Sequence, residues 1–134
     1  MSLPTKTFFL GTVLSALLAV SPVASIDVFA MDYKDISAQQ AHEMMTSGAK
    51  LRIIDVRTPE EFAQGHIPDA VNVPLDAIAA GKIPFIMADK NATYLLYCRS
   101  GHRSGMAAGA LANKGWANIY NFGGILDWPY EVVR

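Results

Sequence analysis

Cys98, the single cysteine of the chain, follows the apolar run Tyr94-Leu95-Leu96-Tyr97 and precedes Arg99-Ser100-Gly101-His102-Arg103-Ser104. Gly105-Met106-Ala107-Ala108-Gly109-Ala110-Leu111 then reads as a helix. A strand that delivers a thiol into a short, doubly basic turn at a helix start places the sulfur among backbone N–H donors, the positive helix pole and two guanidinium groups. All three favour the thiolate, the form that attacks. Arg99 and Arg103 are candidates for holding a donor oxyanion, because a planar guanidinium binds two oxygens at once. Arg103 is equally suited to bracing the turn against a carbonyl or Asp55. Ser100, Gly101, His102 and Ser104 complete a nest of N–H groups around the anion, with Gly101 giving a backbone shape that a side chain would obstruct. His102 lies too close along a tight loop to pair with the thiol and is read as facing solvent.

Short β-rich runs alternate with helical stretches along the rest of the chain. Tyr33 to Ile36 is an edge strand or lead-in, and Ser37-Ala38-Gln39-Gln40 has the capping-box pattern for a helix from Ala38 to about Ser47. Leu51 to Val56 is a strand that ends in the carboxylate of Asp55. Thr58-Pro59-Glu60-Glu61 starts a brief helix closed by Gly65, with two acids near its positive pole. Val71 to Val73 is a third strand, Pro74 to Ala80 a helical turn or two, and Tyr94 to Tyr97 the strand before the cysteine. A helix from about Ser104 to Asn113, a last strand at Ala117 to Asn121, and a turn at Gly123-Gly124 into a short closing helix complete the series. Lys82 to Thr93 is the least regular segment. Such alternation predicts an α/β domain with a mostly parallel sheet of about five short strands and helices on both faces.

Sites in open parallel sheets form at the carboxyl ends of the strands, where both Asp55 and Cys98 stand. Asp55 and Arg57 support this region as an ion pair, or Asp55 caps local backbone N–H groups. His66 reads as a structural hydrogen-bonder beneath a turn, His42 as a surface or boundary residue and Trp128 as core or site-rim packing. One cysteine and three scattered histidines lack the spacing of a metal site.

With 134 residues, 51% of them hydrophobic, the chain supports one domain with a real core. The net charge of -1 gives no sign of a nucleic acid or an anionic membrane as the main partner. Residues 1–30 carry Lys6, an uncharged apolar stretch from Phe8 to Val20, then Ser21-Pro22 and small residues, the pattern of a secretory signal peptide. Cleavage after Ala30 is preferred to cleavage after Ser25, leaving a single domain over 31–134. The alternative is an uncleaved anchor, since the charge-free run approaches the ~20 residues that span a bilayer. Pro22 and the Ser/Ala-rich end argue against stable membrane insertion. Either way the domain faces outside the cytoplasm, periplasmic or secreted. A lone thiol in an oxidising compartment cannot form an internal disulfide, and catalysis or persulfide chemistry accounts for its presence better than packing does.

Four ordered blocks resemble the rhodanese-like sulfurtransferase family: Asp55-Val56-Arg57-Thr58-Pro59-Glu60-Glu61-Phe62, Gly65-His66-Ile67-Pro68-Asp69-Ala70-Val71-Asn72-Val73-Pro74, the loop Cys98 to Ser104, and Phe122-Gly123-Gly124-Ile125-Leu126-Asp127-Trp128. The resemblance implies a rhodanese-like three-layer fold in which the strands bearing Asp55 and Cys98 are neighbours. It also implies sulfur transfer from a small anionic donor such as thiosulfate, through a Cys98 persulfide and with no cofactor, to a thiophilic acceptor such as cyanide or a thiol. A domain of this kind could be a monomer. The rivals are a redox or persulfide sensor, a binding module, and a cysteine phosphatase. The phosphatase motif places five residues between cysteine and arginine, whereas four separate Cys98 from Arg103.

Overall fold

The computed structural model describes residues 32–134. The segment read as a signal peptide therefore lies outside the described residues. Among the described residues nine regular elements follow one another: β1 (Lys34–Asp35), α1 (Ala38–Thr46), β2 (Arg52–Asp55), α2 (Pro59–Gln64), β3 (Ala70–Asn72), α3 (Leu75–Ala79), β4 (Thr93–Cys98), α4 (His102–Asn113) and β5 (Asn118–Gly124). Short 3-10 turns lie at Phe85–Met87 and Ile125–Asp127. The strands form one sheet in the order β1-β5-β4-β2-β3, and every neighbouring pair is parallel. Strand β4, which carries Cys98, is thus central, with β2 on one side and β5 on the other.

Side chains alternate across a strand, so each central strand must be apolar on both faces. Ile54, Leu96, Cys98 and Ile119 pack on one face with Ala107, Ala108 and Leu111 of α4 and Ile78 of α3. Ile53, Leu95, Tyr97 and Phe122 pack on the other with Ala41 of α1 and Trp128. This is the three-layer arrangement expected from the sequence. Among the described residues no helix is long and apolar enough to cross a membrane.

The helix caps follow the sequence closely. Ser37 Oγ accepts from Gln40 N at 3.0 Å while Gln40 Oε1 accepts from Ser37 N at 2.9 Å. Thr58 and Glu61 form the same reciprocal box at the start of α2. Most boundaries fall within one residue of expectation; two differ by more, and both concern the cysteine loop. Helix α4 starts at His102 rather than Ser104, and β5 runs through Gly123 and Gly124 instead of turning there. Its extra length lets the cysteine loop lie on bare backbone. The irregular segment after Lys82 is anchored by Met87, which is fully buried and accepts a hydrogen bond from Trp116 Nε1 at 2.9 Å.

Candidate active site

Cys98 ends β4 at a register irregularity, where it sits opposite Gly124 of β5. The chain then turns over its neighbour so tightly that a Cβ on Gly124 would collide with the Arg99 carbonyl oxygen. Gly101 takes φ +106°, a left-handed conformation, and a Cβ there would stand 3.2 Å from Gly123 Cα. Both glycines are needed by geometry: one for conformation and contact, the other for contact alone. The result is a loop that curls back and aims its N–H groups at the sulfur.

Gly101 is the N-cap of α4 and offers no side chain to the helix's first N–H groups. The sulfur takes the capping role. Gly101 N donates to Sγ at 3.0 Å, and Ser104 Oγ lies 3.5 Å from Sγ. Burial opposes ionisation of Cys98, but hydrogen bonds from the Ser104 hydroxyl and from the backbone of Ser104, Gly101 and Ser100 outweigh it and bring the thiol below its ordinary value. These donors and the positive helix pole favour the thiolate over the thiol. The same donors explain why the helix begins two residues early.

The flanking residues divide into those turned outward and those anchored. Arg99, Ser100 and His102 are exposed, and the ion pairs among the described residues include neither Arg99 nor His102. Arg103 is held by Glu61 through Nη1–Oε1 at 2.7 Å and Nη2–Oε2 at 2.9 Å. It braces the loop against α2, using a carboxylate that the sequence reading had placed only at a helix pole. Ser104 is fully buried and hydrogen-bonds Asn121 Oδ1 at 2.7 Å.

Asp55 and Arg57 are both buried and make a two-point pair, Nε–Oδ1 at 2.9 Å and Nη2–Oδ2 at 2.6 Å. Asp55 Oδ1 also accepts from Arg57 N at 2.9 Å, so the two roles weighed for it coexist. Arg57 Nη2 reaches on to Gly65 O at 2.7 Å and fixes the end of α2. Strands β2 and β4 are neighbours, with Asp55 opposite Tyr97. Alternation then puts the Asp55 side chain on the Tyr97 face and Cys98 on the other, so the two do not face one another across a crevice. Arg57 instead joins Glu61, Arg99, Ile125, Leu126 and Val132 around a cleft of about 340 Å³ beside the loop.

The histidines stand apart from the sulfur. His66 stacks on Phe62 with centroids 3.8 Å apart, and its Nδ1 lies 3.1 Å from Phe62 O. His42 stacks on Tyr130 at 3.7 Å. Trp128 packs on Phe122 in the core of the opposite face. Among the described residues no group of three or more His, Cys, Asp or Glu side chains is placed to hold a metal ion.

A buried cysteine capping a helix from the end of a central parallel strand is a site that can be compared with known proteins. The model of the rhodanese-like domain family matches residues 37–130. This chain belongs to the rhodanese-like domain family. Its rhodanese-like domain is 37% identical over 81 residues to the thiosulfate sulfurtransferase PspE of Escherichia coli K12, covering 60% of this chain and 77% of that protein. It is 38% identical over 108 residues to the thiosulfate sulfurtransferase GlpE of Stutzerimonas stutzeri, covering 77% of this chain and 86% of the relative. A solved rhodanese from E. coli, determined with anions, superposes with a TM-score of 0.54 at 35% identity, covering 63% of this chain and 99% of that one.

Asn121, Glu61 and Gly124 are the site residues that sequence reasoning passed over. Asn121 left a signal, since an amide in a strand between Ile119 and Phe122 needs a partner. Glu61 and Gly124 stand in blocks that carry the family resemblance, but nothing local marked their partners, Arg103 and Arg99, which are distant in sequence.

Proposed function

We propose that this chain is a thiosulfate sulfurtransferase that carries sulfur covalently on Cys98 and uses no cofactor. The observation that carries this reading is the sulfur at the N-cap of α4, taking a hydrogen bond from Gly101 N at 3.0 Å. The Cys98 thiolate attacks the outer, sulfane sulfur of thiosulfate. A new S–S bond forms, the S–S bond of thiosulfate breaks, and its electron pair leaves with sulfite. Cyanide or a thiol then attacks the outer sulfur of the persulfide, and the pair of that bond returns to Sγ as thiolate.

Arg99, exposed and outside the ion pairs of the described residues, is assigned to the donor oxyanion. The N–H groups from Arg99 to Ser104 hold the charged sulfur, as an oxyanion hole holds oxygen. Arg103 serves by holding the loop in shape on Glu61. The four-residue spacing from Cys98 to Arg103 favours a sulfur donor over a phosphoester. The apolar stretch and small residues of the first 30 residues support export, with the domain acting in a periplasmic or secreted setting, and the near-neutral charge supports a monomer.

Intact mass of the purified protein before and after thiosulfate, beside Cys98→Ser, tests the reading. One added sulfur that requires Cys98, is removed by cyanide and yields thiocyanate over many turnovers is the expected result. A folded protein that gains no sulfur and yields no thiocyanate overturns it.

A further inference from the structure

Ser104 carries one hydroxyl proton and has several acceptors around it. Asn121 Oδ1 lies at 2.7 Å, Gly101 O at 3.2 Å, Gly123 O at 3.4 Å and Cys98 Sγ at 3.5 Å. The first is the best distance for an O–H···O bond, so the hydroxyl donates to the amide and the sulfur competes for it.

The amide cannot turn round to avoid this. Gly123 N donates to Asn121 Oδ1 at 3.1 Å, and Asn121 Nδ2 donates to Asp35 Oδ1 at 3.0 Å. A reversed amide would set two donors against each other at Gly123 and two acceptors against each other at Asp35. The placement follows from topology, because Asp35 of β1 and Asn121 of β5 are register partners. Asn121 is buried, with 9% of its surface exposed.

We propose that Asn121, fixed by Asp35, is a positioning residue that holds the Ser104 hydroxyl on its amide oxygen while Sγ is neutral and yields it to Sγ when charge develops there. The proposal rests on the reading of Cys98 as the sulfur carrier. In the persulfide the charge sits on the outer sulfur, and the inner Sγ is neutral. When the acceptor's lone pair bonds to the outer sulfur, the S–S pair passes to Sγ. The hydroxyl then gains an anionic acceptor that it lacked in the ground state, which is the form of stabilisation that lowers a barrier. No oxidant or reductant is needed, since the step only moves a sulfur atom between nucleophiles.

A linkage follows. Each thiolate formed draws the hydroxyl away from Asn121, so removing the amide removes the competition. Asn121→Leu is expected to raise the acidity constant of Cys98 roughly fivefold, the worth of one ordinary hydrogen bond. In a Ser104→Ala background the same substitution is expected to leave it unchanged. The charged neighbours Asp35, Arg99 and Arg103 are kept in every variant, so the comparison isolates the hydroxyl.

The thiolate absorbance of the purified protein, titrated against pH with the matching Cys98→Ser curve subtracted, reads this directly, because the chain has one cysteine. Asn121→Val, which suits a strand and also lacks the acceptor, serves if the leucine variant does not fold. An unchanged acidity in either folded variant overturns the proposal, as does an equal shift in the Ser104→Ala background. The titration uses no sulfur donor, so failure of the sulfurtransferase reading would show in the mass and thiocyanate experiment and not here.

Discussion

Arg103 and Glu61 clamp the first turn of α4 to the first turn of α2, with two N···O distances of 2.7 and 2.9 Å. Glu61 also closes the capping box of α2 by accepting from Thr58 N at 3.2 Å. One carboxylate thus caps the start of α2 and steadies the loop that carries Cys98.

Glu61→Gln separates the two duties, because glutamine still closes a capping box but has no charge for Arg103. The hydrogen bond from Arg103 is the main cause that brings the Glu61 carboxyl down from 4.5 to about 2. A lowered carboxyl stabilises the fold fully above the unfolded value and loses that contribution as pH falls through the folded one. The pair is partly exposed, with side-chain accessibilities of 32% and 27%, so solvent screening limits it. The expected loss in Glu61→Gln at neutral pH is about 1 kcal/mol. That corresponds to a Tm drop of roughly 4–8 °C for a domain of this size. The gap should close between about pH 4.5 and 2. A gap that persists below that window would mean that charge is not what Glu61 contributes.

Gly124→Ala and Gly109→Ala should have opposite effects. At Gly124 the added Cβ meets the Arg99 carbonyl and would drive the loop off the sheet. Displacing a catalytic loop by an ångström costs about 100-fold in rate. Sulfur transfer should fall by that order or more, with loss of stability. At Gly109, inside α4, nothing lies within 4 Å of the new methyl. Alanine there should raise stability by ~0.5–1 kcal/mol without changing activity. Thermal unfolding and thiocyanate release on both variants check the pair.

Much of this contrast was not written in the local sequence. Strand and helix order, the capping box at Ser37, the cap at Thr58 and the position of the cysteine loop were legible because each depends on residues close in sequence. The parallel sheet followed from the alternation of elements. Contacts across the chain were not legible: Arg103 to Glu61, Asn121 to Ser104, and the Arg99 carbonyl on Gly124 depend on which strands become neighbours. Gly123-Gly124 reads as a turn by composition, and only the loop lying over it explains why a strand there must lack side chains. The start of α4 was misplaced for a related reason, because no pattern of ordinary capping residues signals a helix capped by a sulfur.

Asp69 is the one non-glycine residue with positive φ among the described residues, at +69°. Aspartate tolerates the left-handed region better than most residues because its carboxylate can bond locally. Asp69→Gly should therefore be neutral or slightly stabilising. Asp69→Ala should cost ~1 kcal/mol, since alanine pays the steric penalty without a polar side chain. Denaturant unfolding of both variants decides this, and an alanine variant as stable as the parent would show that the loop relaxes to negative φ.

The Cys98 thiol is itself a reporter of the fold. Burial works against its ionisation, yet the Ser104 hydroxyl and the loop N–H groups bring it below its ordinary value. A thiol more acidic in the folded than in the unfolded chain stabilises the fold in full above the unfolded value, and the contribution is lost as pH falls through the folded value. Under reducing conditions, the Tm of the parent minus that of Cys98→Ser should therefore rise with pH across the window between those two values and level off above it. The serine hydroxyl stays neutral throughout, so a common loss of stability in alkali cancels in the difference. A difference that falls with rising pH would mean that desolvation dominates at Sγ. The loop would then hold a neutral thiol, and a separate base would be needed to start sulfur transfer.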